Sequence, residues 1–421
     1  MSAKNIRKVT VVGGGPAGMM AAAAAAEAGA SVTLLERNEK LGKKLYITGK
    51  GRCNVTNACD ASSFQKQVPR NPRFLFSVLQ ALPPAALMER LAAWGCPVMV
   101  ERGDRVFPTS EKASDVTKAF EGQLGQRGVE VLLHQRAASL LTGGGRITGV
   151  RTEKGMQIPA DAVVLCTGGK SYPSTGSTGD GYALLEALGH RLLPLKPALT
   201  PLLCDAPWIT ALQGLTLRNV RLTLKQGSKL LFSELGEMLF THFGISGPLV
   251  LTASSCYPES GIPHTDLLLD LKPGLSEDQL NLRLLRGISQ GGKRQLQTLL
   301  KSLLPSRLAE TIPALCGLDA MKPAGDLRKA ERIALASLIK ALPLPVTATG
   351  PLDEAIVTRG GADVRQVNPA TMESKLLPGL FIAGELLDLD AFTGGFNLHI
   401  AFATGFLAGR CAGQAAGGQD P

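Results

Sequence analysis

A glycine turn near the start of the chain has the residue types and spacing of a phosphate-binding loop. The turn, Gly13–Gly18, follows the apolar run Val9–Val12 and leads into the alanine-rich segment Ala17–Ala28. In dinucleotide-binding units the first glycine permits the tight turn and the second lets the backbone approach a pyrophosphate. The third lets the helix pack closely on the strand. The N–H groups at the helix start then face the phosphates. The pattern predicts a dinucleotide site, and the alternative is a glycine-rich turn without a ligand.

An acidic residue completes this pattern. A second apolar run, Ser31–Leu35, ends at Glu36, which lies eighteen residues after Gly18. A carboxylate at this distance can hold the hydroxyl groups of a ribose. These residues alone predict a dinucleotide and do not distinguish FAD from NAD.

Composition limits the classes of partner. Lys and Arg give a formal charge of +10 but are scattered along the chain. This charge helps to attract anionic ligands such as phosphorylated cofactors. No nucleic-acid-binding motif accompanies the charge, so a nucleic acid partner is disfavoured. We expect a small organic molecule as substrate, and the oligomeric state does not follow from these residues.

The sequence shows neither a targeting signal nor the residue spacing of a metal site. Residues 1–8 are polar, and the alanine run is too short to span a bilayer, so neither a signal peptide nor a membrane association is expected. The eight cysteines form no regular framework, which favours a cytoplasmic protein with reduced thiols. No CxxC pair or other metal-ligand spacing is visible, so no metal site is predicted.

The elements that must position these residues change character along the chain. With 421 residues, we expect more than one structural unit. Residues 1–190 and 346–421 read as a Rossmann-like α/β domain, and Phe74–Gly95 within it reads as helical. Residues 191–274 read as a β-rich insert with a barrel-like part, and residues 275–345 as a helical insert. Ser276 and Gln279 form a predicted capping box at the start of the helical part.

The first pattern returns at the end of the chain. Leu380–Glu385 reads as a strand, and Gly394–Asn397 opens a helix that runs to about Cys411. Ligands of open α/β sheets collect at strand ends of this kind. The predicted fold is therefore a three-layer Rossmann-like dinucleotide-binding domain, interrupted by an insert and completed at the C-terminus.

Taken in order, several short stretches resemble the flavoproteins of the HI0933-like family over nearly the whole chain. Each is weak alone, and together they are specific. They are Gly51–Asn57, Gly103–Pro108, Thr167–Tyr182, Phe240–Pro248, Val357–Gly361, Thr371–Lys375, Gly384-Glu385 and Gly394–Asn397.

The resemblance implies non-covalently bound FAD. It places Gly51–Asn57 at the flavin ring and the helix start after Gly394 at the flavin pyrimidine edge, where negative charge develops. Asp388 is either a cofactor partner or a capping acid of the loop. With the glycine turn, the residues expected to bind FAD are Gly13, Gly15, Pro16, Ala17, Gly18, Glu36, Arg37, Lys44, Gly51, Arg52, Cys53, Asn54, Ala137, Thr167, Gly168, Gly169, Gly384, Glu385, Asp388, Gly394, Gly395, Asn397 and Leu398.

The catalytic residues stay open at this point. Cys53 could be a redox thiol, but its spacing from Cys59 differs from that of flavin disulfide reductases, and a buried thiol is the alternative. His399 is either a packed, hydrogen-bonded side chain or a catalytic one. His242 in the β-rich insert and Tyr172 after a strand end are further candidates.

Three functions are compatible with these residues. The first is an FAD-dependent oxidoreductase that uses NADH or NADPH to reduce an activated C=C bond, such as that of an enone, by hydride transfer through flavin N5. The second is an amine oxidase of the aminoacetone type that uses oxygen. The third, suggested by the charge, is an RNA-binding or RNA-modifying flavoprotein. No second glycine fingerprint is found, so either a nicotinamide binds transiently at the flavin or the substrate itself donates the electrons.

Overall fold

The computed structural model describes residues 6–258, 261–262 and 264–414. In this part of the chain the β-strands are β1 (Lys8–Val12), β2 (Ser31–Leu35), β3 (Thr56–Asn57), β4 (Val98–Glu101), β5 (Arg105–Pro108), β6 (Glu130–Leu132), β7 (Ala137–Gly143), β8 (Arg146–Thr152), β9 (Gln157–Pro159), β10 (Ala162–Leu165), β11 (Leu192–Ala198), β12 (Leu202–Cys204), β13 (Thr216–Gln226), β14 (Lys229–Thr241), β15 (Gly244–Ser246), β16 (Thr265–Asp270), β17 (Leu342–Pro343), β18 (Val346–Thr349), β19 (Val357–Ala362) and β20 (Leu380–Ile382).

Helices connect these strands. Over the same described residues the α-helices are α1 (Pro16–Glu27), α2 (Ala61–Lys66), α3 (Phe76–Ala81), α4 (Pro84–Ala93), α5 (Ala113–Gln126), α6 (Asp180–Glu186), α7 (Pro207–Ala211), α8 (Pro248–Ser255), α9 (Glu277–Gly291), α10 (Leu296–Leu300), α11 (Ser306–Leu315), α12 (Lys329–Lys340) and α13 (Phe396–Gly413).

A parallel sheet lies at the centre of the first unit. Its strand order is β20-β10-β1-β2-β6, and all four pairings are parallel. Strands β10 and β20 are buried along their whole length, as expected for apolar runs covered on both faces. Strand β1 pairs with β2 on one side and with β10 on the other, so connections leave β1 in opposite directions. The carboxyl end of β1 is therefore a switch point, where ligands of open α/β sheets bind. The predicted α/β Rossmann-like fold class is confirmed.

Two helices that are 370 residues apart in sequence pack against each other beside this sheet. Helix α13 presents Gly405 and Gly409 to the backbone of α1. A Cβ atom at either glycine would lie 2.1 Å from a carbonyl oxygen, that of Ala17 or that of Ala21. Because no side chain fits between the two backbones, the C-terminal helix is held close to the helix that follows the glycine turn.

Contacts divide the chain into two compact units. The first comprises Met1–Ala198 and Leu352–Pro421, and the second Leu199–Pro351. The second unit contains a seven-stranded sheet of order β17-β16-β13-β14-β15-β12-β18 and the helices α9 to α12. The predicted capping box is present at the start of α9, where Ser276 and Gln279 bond reciprocally. The boundaries expected at 190, 274 and 345, and the barrel-like character of the insert, stay predictions.

The stretch Phe74–Gly95, predicted to be helical, contains two helices, since α3 ends at Ala81 and α4 begins at Pro84. Proline lacks the N–H donor of a helix interior, whereas the first helical position tolerates it. Pro83 and Pro84 therefore end one helix and start another.

Candidate active site

A crevice opens at the carboxyl ends of β1, β2, β10 and β20. Its walls include Val12, Leu35, Cys166 and Gly384, which end or follow these four strands. It contains about 1340 Å³ of empty space, part of it open to solvent. Its position is that of the ligand site of open α/β sheets.

The glycine turn forms one wall of the crevice, and its glycines differ in their surroundings. Gly13 adopts a left-handed φ of 102°, and a Cβ atom there would lie 2.5 Å from the carbonyl oxygen of Cys166. A Cβ atom at Gly18 would lie 1.7 Å from the carbonyl oxygen of Gly13, whereas one at Gly15 would meet nothing within 4 Å. Gly13 and Gly18 are therefore required by the fold, and Gly15 leaves open space at the start of α1.

Glu36 joins the glycine turn to the end of β2. Its Oε2 accepts a hydrogen bond from the backbone N–H of Gly14 at 2.7 Å. Its Oε1 accepts from the backbone N–H and from the side-chain amide of Asn38, both at 2.8 Å. The side chain is buried in the crevice wall. A carboxylate offers about four acceptor positions, so these three bonds leave capacity for a ligand hydroxyl.

The C-terminal segment forms the opposite wall. Gly384 adopts a φ of 77°, and its N–H donates to Thr404 Oγ1 of α13 at 3.0 Å. Asn397 holds the loop before α13, because its amide accepts from the N–H of Ala391 at 2.8 Å and donates to the carbonyl of the same residue at 2.7 Å. Leu389, Asn397 and Leu398 line the crevice. The two distant glycine segments thus share one crevice.

A polar cluster, defined by Lys44, Ser171 and Glu385, connects the two walls. Lys44 Nζ donates to Glu385 Oε2 at 2.9 Å and lies 2.6 Å from Ser171 Oγ. Glu385 Oε1 also accepts from Ser171 Oγ at 3.1 Å and from the N–H of Thr358 at 2.8 Å. Lys44 and Glu385 line the crevice with about a fifth of each side chain exposed, so both can meet a polar ligand.

Two residues of a second polar cluster, Arg136 and Asp180, were missed from the sequence, whereas its third residue, Arg37, was predicted. Arg136 donates through Nε and Nη2 to both carboxylate oxygens of Asp180, at 2.6 and 2.7 Å, and Arg37 donates to the same group at 2.8 Å. Although burial opposes ionisation, these bonds and that from Thr178 hold the pKa of Asp180 below its usual value. The stretch Thr167–Tyr182, which contains Asp180, was singled out, but only Thr167, Gly168 and Gly169 were assigned to the cofactor and Tyr172 to catalysis.

Other lining residues were also missed. Most of them are apolar or contribute through the backbone, so their types carry no chemical signal. They are Val12, Gly14, Leu35, Asn38, Lys43, Leu45, Thr48, Gln135, Arg136, Cys166, Thr175, Gly176, Ser177, Asp180, Leu184, Ile356, Val357, Leu389, Ile400 and Ala401.

Two features of the crevice wall fit a bound dinucleotide. A Cβ atom at Gly15 would meet nothing within 4 Å, so a phosphate can approach the start of α1. Glu36 keeps acceptor capacity for a hydroxyl group. Together they match what a dinucleotide such as FAD requires.

Fourteen of the predicted cofactor residues line the crevice. They are Gly13, Gly15, Pro16, Ala17, Glu36, Arg37, Lys44, Ala137, Thr167, Gly168, Gly384, Glu385, Asn397 and Leu398. The other nine do not line it: Gly18, Gly51, Arg52, Cys53, Asn54, Gly169, Asp388, Gly394 and Gly395. Their contact with FAD stays a prediction.

Several of these nine residues support the wall from behind. A Cβ atom at Gly395 would lie 2.3 Å from the carbonyl oxygen of Thr56, which shows how tightly the start of α13 packs on β3. Asp388 accepts a hydrogen bond from Asn71 Nδ2 at 2.9 Å. Burial raises the pKa of Asp388, against the effect of this bond, and the nearby Asp390 raises it further. Arg52 pairs with Glu101 and lies over the ring of Phe107.

Two of the catalytic candidates are fully buried. Cys53 has no exposed surface, and burial raises its pKa, so it is a thiol rather than a reactive thiolate. His399 Nε2 lies 3.0 Å from the carbonyl oxygen of Leu82, and its Nδ1 lies 3.0 Å from Thr56 Oγ1. A carbonyl only accepts, so Nε2 carries the proton. Burial lowers the pKa of His399 to about 4, which favours the packed histidine over the catalytic one.

The other two candidates are not in the crevice wall. Tyr172 has a left-handed φ of 50° and precedes a 3-10 turn, Pro173–Thr175. The hydroxyl of Thr175 donates a hydrogen bond to the carbonyl oxygen of Tyr172 at 2.7 Å. His242 is exposed in the second unit, between β14 and β15, with its ring 4.9 Å from that of Phe243. Catalytic roles for both stay predictions.

Membrane spans and metal clusters are both absent from the part of the chain that the structure describes. No helix among them is both long and apolar enough to cross a membrane. No group of three or more His, Cys, Asp or Glu side chains among them could hold a metal ion.

Comparison with known proteins decides the family. The family described as "HI0933-like protein Rossmann domain" matches residues 7–411, which is nearly the whole chain. The chain belongs to the HI0933-like family. It is an FAD-dependent oxidoreductase, as the resemblance implied.

Curated relatives match this chain over nearly its whole length. It is 32% identical over 415 residues to the 3-dehydro-bile acid Δ4,6-reductase of Clostridium scindens, covering 97% of this chain and all of that protein. It is 27% identical over 404 residues to the ribosomal RNA dihydrouridine synthase of Escherichia coli, covering 95% and 96% of the two chains.

A solved structure supports the fold alone. The 3-ketosteroid Δ1-dehydrogenase of Sterolibacterium denitrificans, solved with 1,4-androstadiene-3,17-dione, superposes with a TM-score of 0.52 at 15% identity. The superposition covers 97% of this chain and 100% of that one.

Proposed function

We propose that this protein reduces a carbon–carbon double bond conjugated to a carbonyl group, with NADH or NADPH as electron donor and FAD bound in the crevice. The observation that carries the proposal is the reaction shared by its relatives. A bile acid Δ4,6-reductase and a dihydrouridine synthase are named for very different molecules. Each name describes adding hydrogen across a double bond next to a carbonyl. The similarity to both relatives therefore supports this type of reaction more strongly than it supports either substrate.

The crevice supplies the binding part of this chemistry. The N–H groups at the start of α1, beside Gly15, point to where the pyrophosphate of FAD would lie. Glu36 would accept hydrogen bonds from the ribose hydroxyls. When bound, FAD supplies hydride transfer through its N5 atom, which protein side chains cannot do.

The polar cluster would orient the cofactor and hold charge beside it. Lys44 carries a positive charge balanced by Glu385, and Ser171 bonds both. Polar groups that are already positioned cost no reorganisation when a ligand binds or reacts beside them. The cluster would therefore orient the cofactor without adding net charge.

Rapid-mixing experiments under anaerobic conditions would test the proposal. The purified holoprotein is mixed with NADH, NADPH or aminoacetone while the visible flavin absorbance is followed. We expect a nicotinamide to bleach the flavin and an unsaturated 3-ketosteroid to restore its colour without oxygen. The product should gain one pair of hydrogen atoms by mass spectrometry. Bleaching by the amine alone would replace the proposal with the amine oxidase alternative.

A uracil base in RNA is a second candidate substrate. Two curated relatives, from Escherichia coli and Haemophilus influenzae, are named ribosomal RNA dihydrouridine synthase, and each covers at least 94% of this chain. The net charge of +10 is compatible with a polyanion. In the same experiment, a uridine-containing RNA in place of the steroid would restore the flavin colour if this candidate is right.

A further inference from the structure

The loop between β20 and α13 is held by a segment more than 300 residues away in sequence. The loop, residues 388–392, contains Leu389, which is 3% exposed and lines the crevice. The segment, residues 67–71, follows α2 and does not form a strand with the loop. Three of its residues nevertheless bond the loop, and we call these contacts the clamp.

Charged and amide groups form the clamp. Arg70 Nε donates to Asp390 Oδ1 at 2.9 Å, and its Nη2 donates to the other oxygen of the same carboxylate. Asn71 Nδ2 donates to the carbonyl oxygen and to Oδ2 of Asp388, both at 2.9 Å. The N–H of Phe392 donates to the carbonyl oxygen of Gln67 at 2.9 Å. The clamp therefore bonds residues on both sides of Leu389.

The clamp contains a costly feature, which indicates that the position of the loop matters. Asp390 has no exposed surface, and a buried carboxylate is tolerated only with a well-placed partner. Asn71 adopts a φ of 53°, a left-handed conformation that asparagine accepts more readily than most residues. Asn71 therefore suits this position through its backbone as well as through its side-chain amide.

We propose that Arg70 and Asn71 are positioning residues that set the crevice wall at Leu389 and thereby slow the release of FAD. Neither side chain needs to touch the cofactor, because both act through the loop. Asp388, expected from the sequence to bind FAD directly or to cap its loop, takes its place as the partner of Asn71. This inference rests on the placement of FAD in the crevice under the proposed function.

Replacing Asn71 with glycine tests the clamp with little strain. Gly adopts a left-handed φ without cost, so Asn71→Gly removes the two hydrogen bonds to Asp388 and leaves the backbone relaxed. We expect FAD to leave the holoprotein at least tenfold faster, measured as the rise of free flavin fluorescence after dilution. The visible absorbance bands of the bound flavin should also shift, because the wall at Leu389 is no longer fixed.

Arg73 provides the matched control. It lies two residues further along, is exposed, and its side chain makes no hydrogen bond or ion pair within the described residues. Arg73→Ala should release FAD within twofold of the unchanged protein. Arg70→Lys keeps a charge opposite Asp390 but loses the two-point contact, so we expect release several-fold faster than in the unchanged protein.

Two outcomes separate this inference from the one on which it rests. If Asn71→Gly releases FAD at the unchanged rate with an unchanged flavin spectrum, while Gly15→Ala in the crevice speeds release, the clamp is wrong and the placement of FAD stands. If Gly15→Ala also leaves FAD release unchanged, the cofactor is not in the crevice and both ideas fail. If Asn71→Gly speeds FAD release and also lowers the melting temperature of the apoprotein, while the flavin spectrum is unchanged, the clamp is merely structural.

Discussion

The two walls of the crevice hold their glycine turns by different means. The N-terminal wall is built locally, since Gly13, Gly18 and Glu36 all lie within one strand–helix–strand unit. The C-terminal wall, at Gly384 and Leu389, depends on contacts from residues 67–71 and from Thr404. The first wall is specified by short-range spacing, and the second by packing between distant parts of the chain.

This difference separates backbone fit from side-chain positioning. At the N-terminal wall, a Cβ atom would collide with carbonyl oxygens that cannot move away, those of Cys166 and Gly13. At the C-terminal wall, side chains such as Asn71 and Asn397 hold a loop in place. Substitution of Gly13 or Gly18 in the first wall should therefore disrupt the fold, and changes in the second wall should mostly alter ligand binding.

The largest effect is expected for Gly18→Ala. Its Cβ atom would lie 1.7 Å from the carbonyl oxygen of Gly13, so α1 would have to move away from β1. We expect a loss of roughly 4 kcal/mol or more in the free energy of unfolding, because backbone atoms cannot adjust as side chains do. The measurements are the yield of soluble protein and its urea unfolding midpoint. A variant with an unchanged midpoint would mean that the local wall is not rigid.

Acid should destabilise the C-terminal helix through His399. Burial lowers the pKa of this side chain in the folded protein to about 4, below the value of 6.5 for a free imidazole. The unfolded chain then binds the extra proton between these values. The His399 contribution is therefore complete above pH 6.5, falls as the pH drops towards 4, and is constant below 4. Its size is up to about 3 kcal/mol.

A variant separates the effect of this histidine from that of carboxylates that titrate in the same pH range. His399→Gln can still donate to the carbonyl of Leu82 but has no proton to gain. Unfolding midpoints measured at steps from pH 7 to pH 4 should fall less steeply for this variant. Equal slopes for the two proteins would show that His399 is not the titrating group.

The comparison of the walls explains what could be predicted from the sequence. Gly13, Gly18 and Glu36 were identified because their spacing along the chain is itself the signal, and the parallel strands around them follow from apolar runs. Asp180 and Arg136 were missed because their ion pair joins a helix start to a strand start 44 residues away. Nothing in the spacing of an aspartate and an arginine marks such a contact.

Helix breaks and support residues were harder to predict for the same reason. The apolar spacing in Phe74–Gly95 indicated helical structure but not the break at Pro83 and Pro84. Asp388 was expected either to contact the cofactor or to cap its loop. Its bond to Asn71 depends on the position of residues 67–71, which no local pattern specifies.

Glu36→Gln should weaken FAD binding with a smaller cost to the fold. Both oxygens of Glu36 accept from N–H groups, of Gly14 and of Asn38, so an amide must turn its NH₂ towards one donor. We expect FAD affinity to fall roughly tenfold to a hundredfold, or about 1.5–3 kcal/mol. Fluorescence titration of the apoprotein with FAD measures this. Unchanged affinity would contradict the ribose role of Glu36.

Gly15→Ala should give the smallest and most selective effect, and it tests the contrast within a single turn. Gly15 has an ordinary φ of −78°, and a Cβ atom there meets nothing within 4 Å. The apoprotein should therefore unfold within about 0.5 kcal/mol of the unchanged protein. The added methyl group would occupy space that a pyrophosphate needs, so FAD affinity should fall roughly tenfold. Only two residues separate this position from Gly18, yet one substitution should act on ligand binding and the other on the fold. Apoprotein stability and FAD affinity falling together in Gly15→Ala would show that the open space serves packing rather than phosphate.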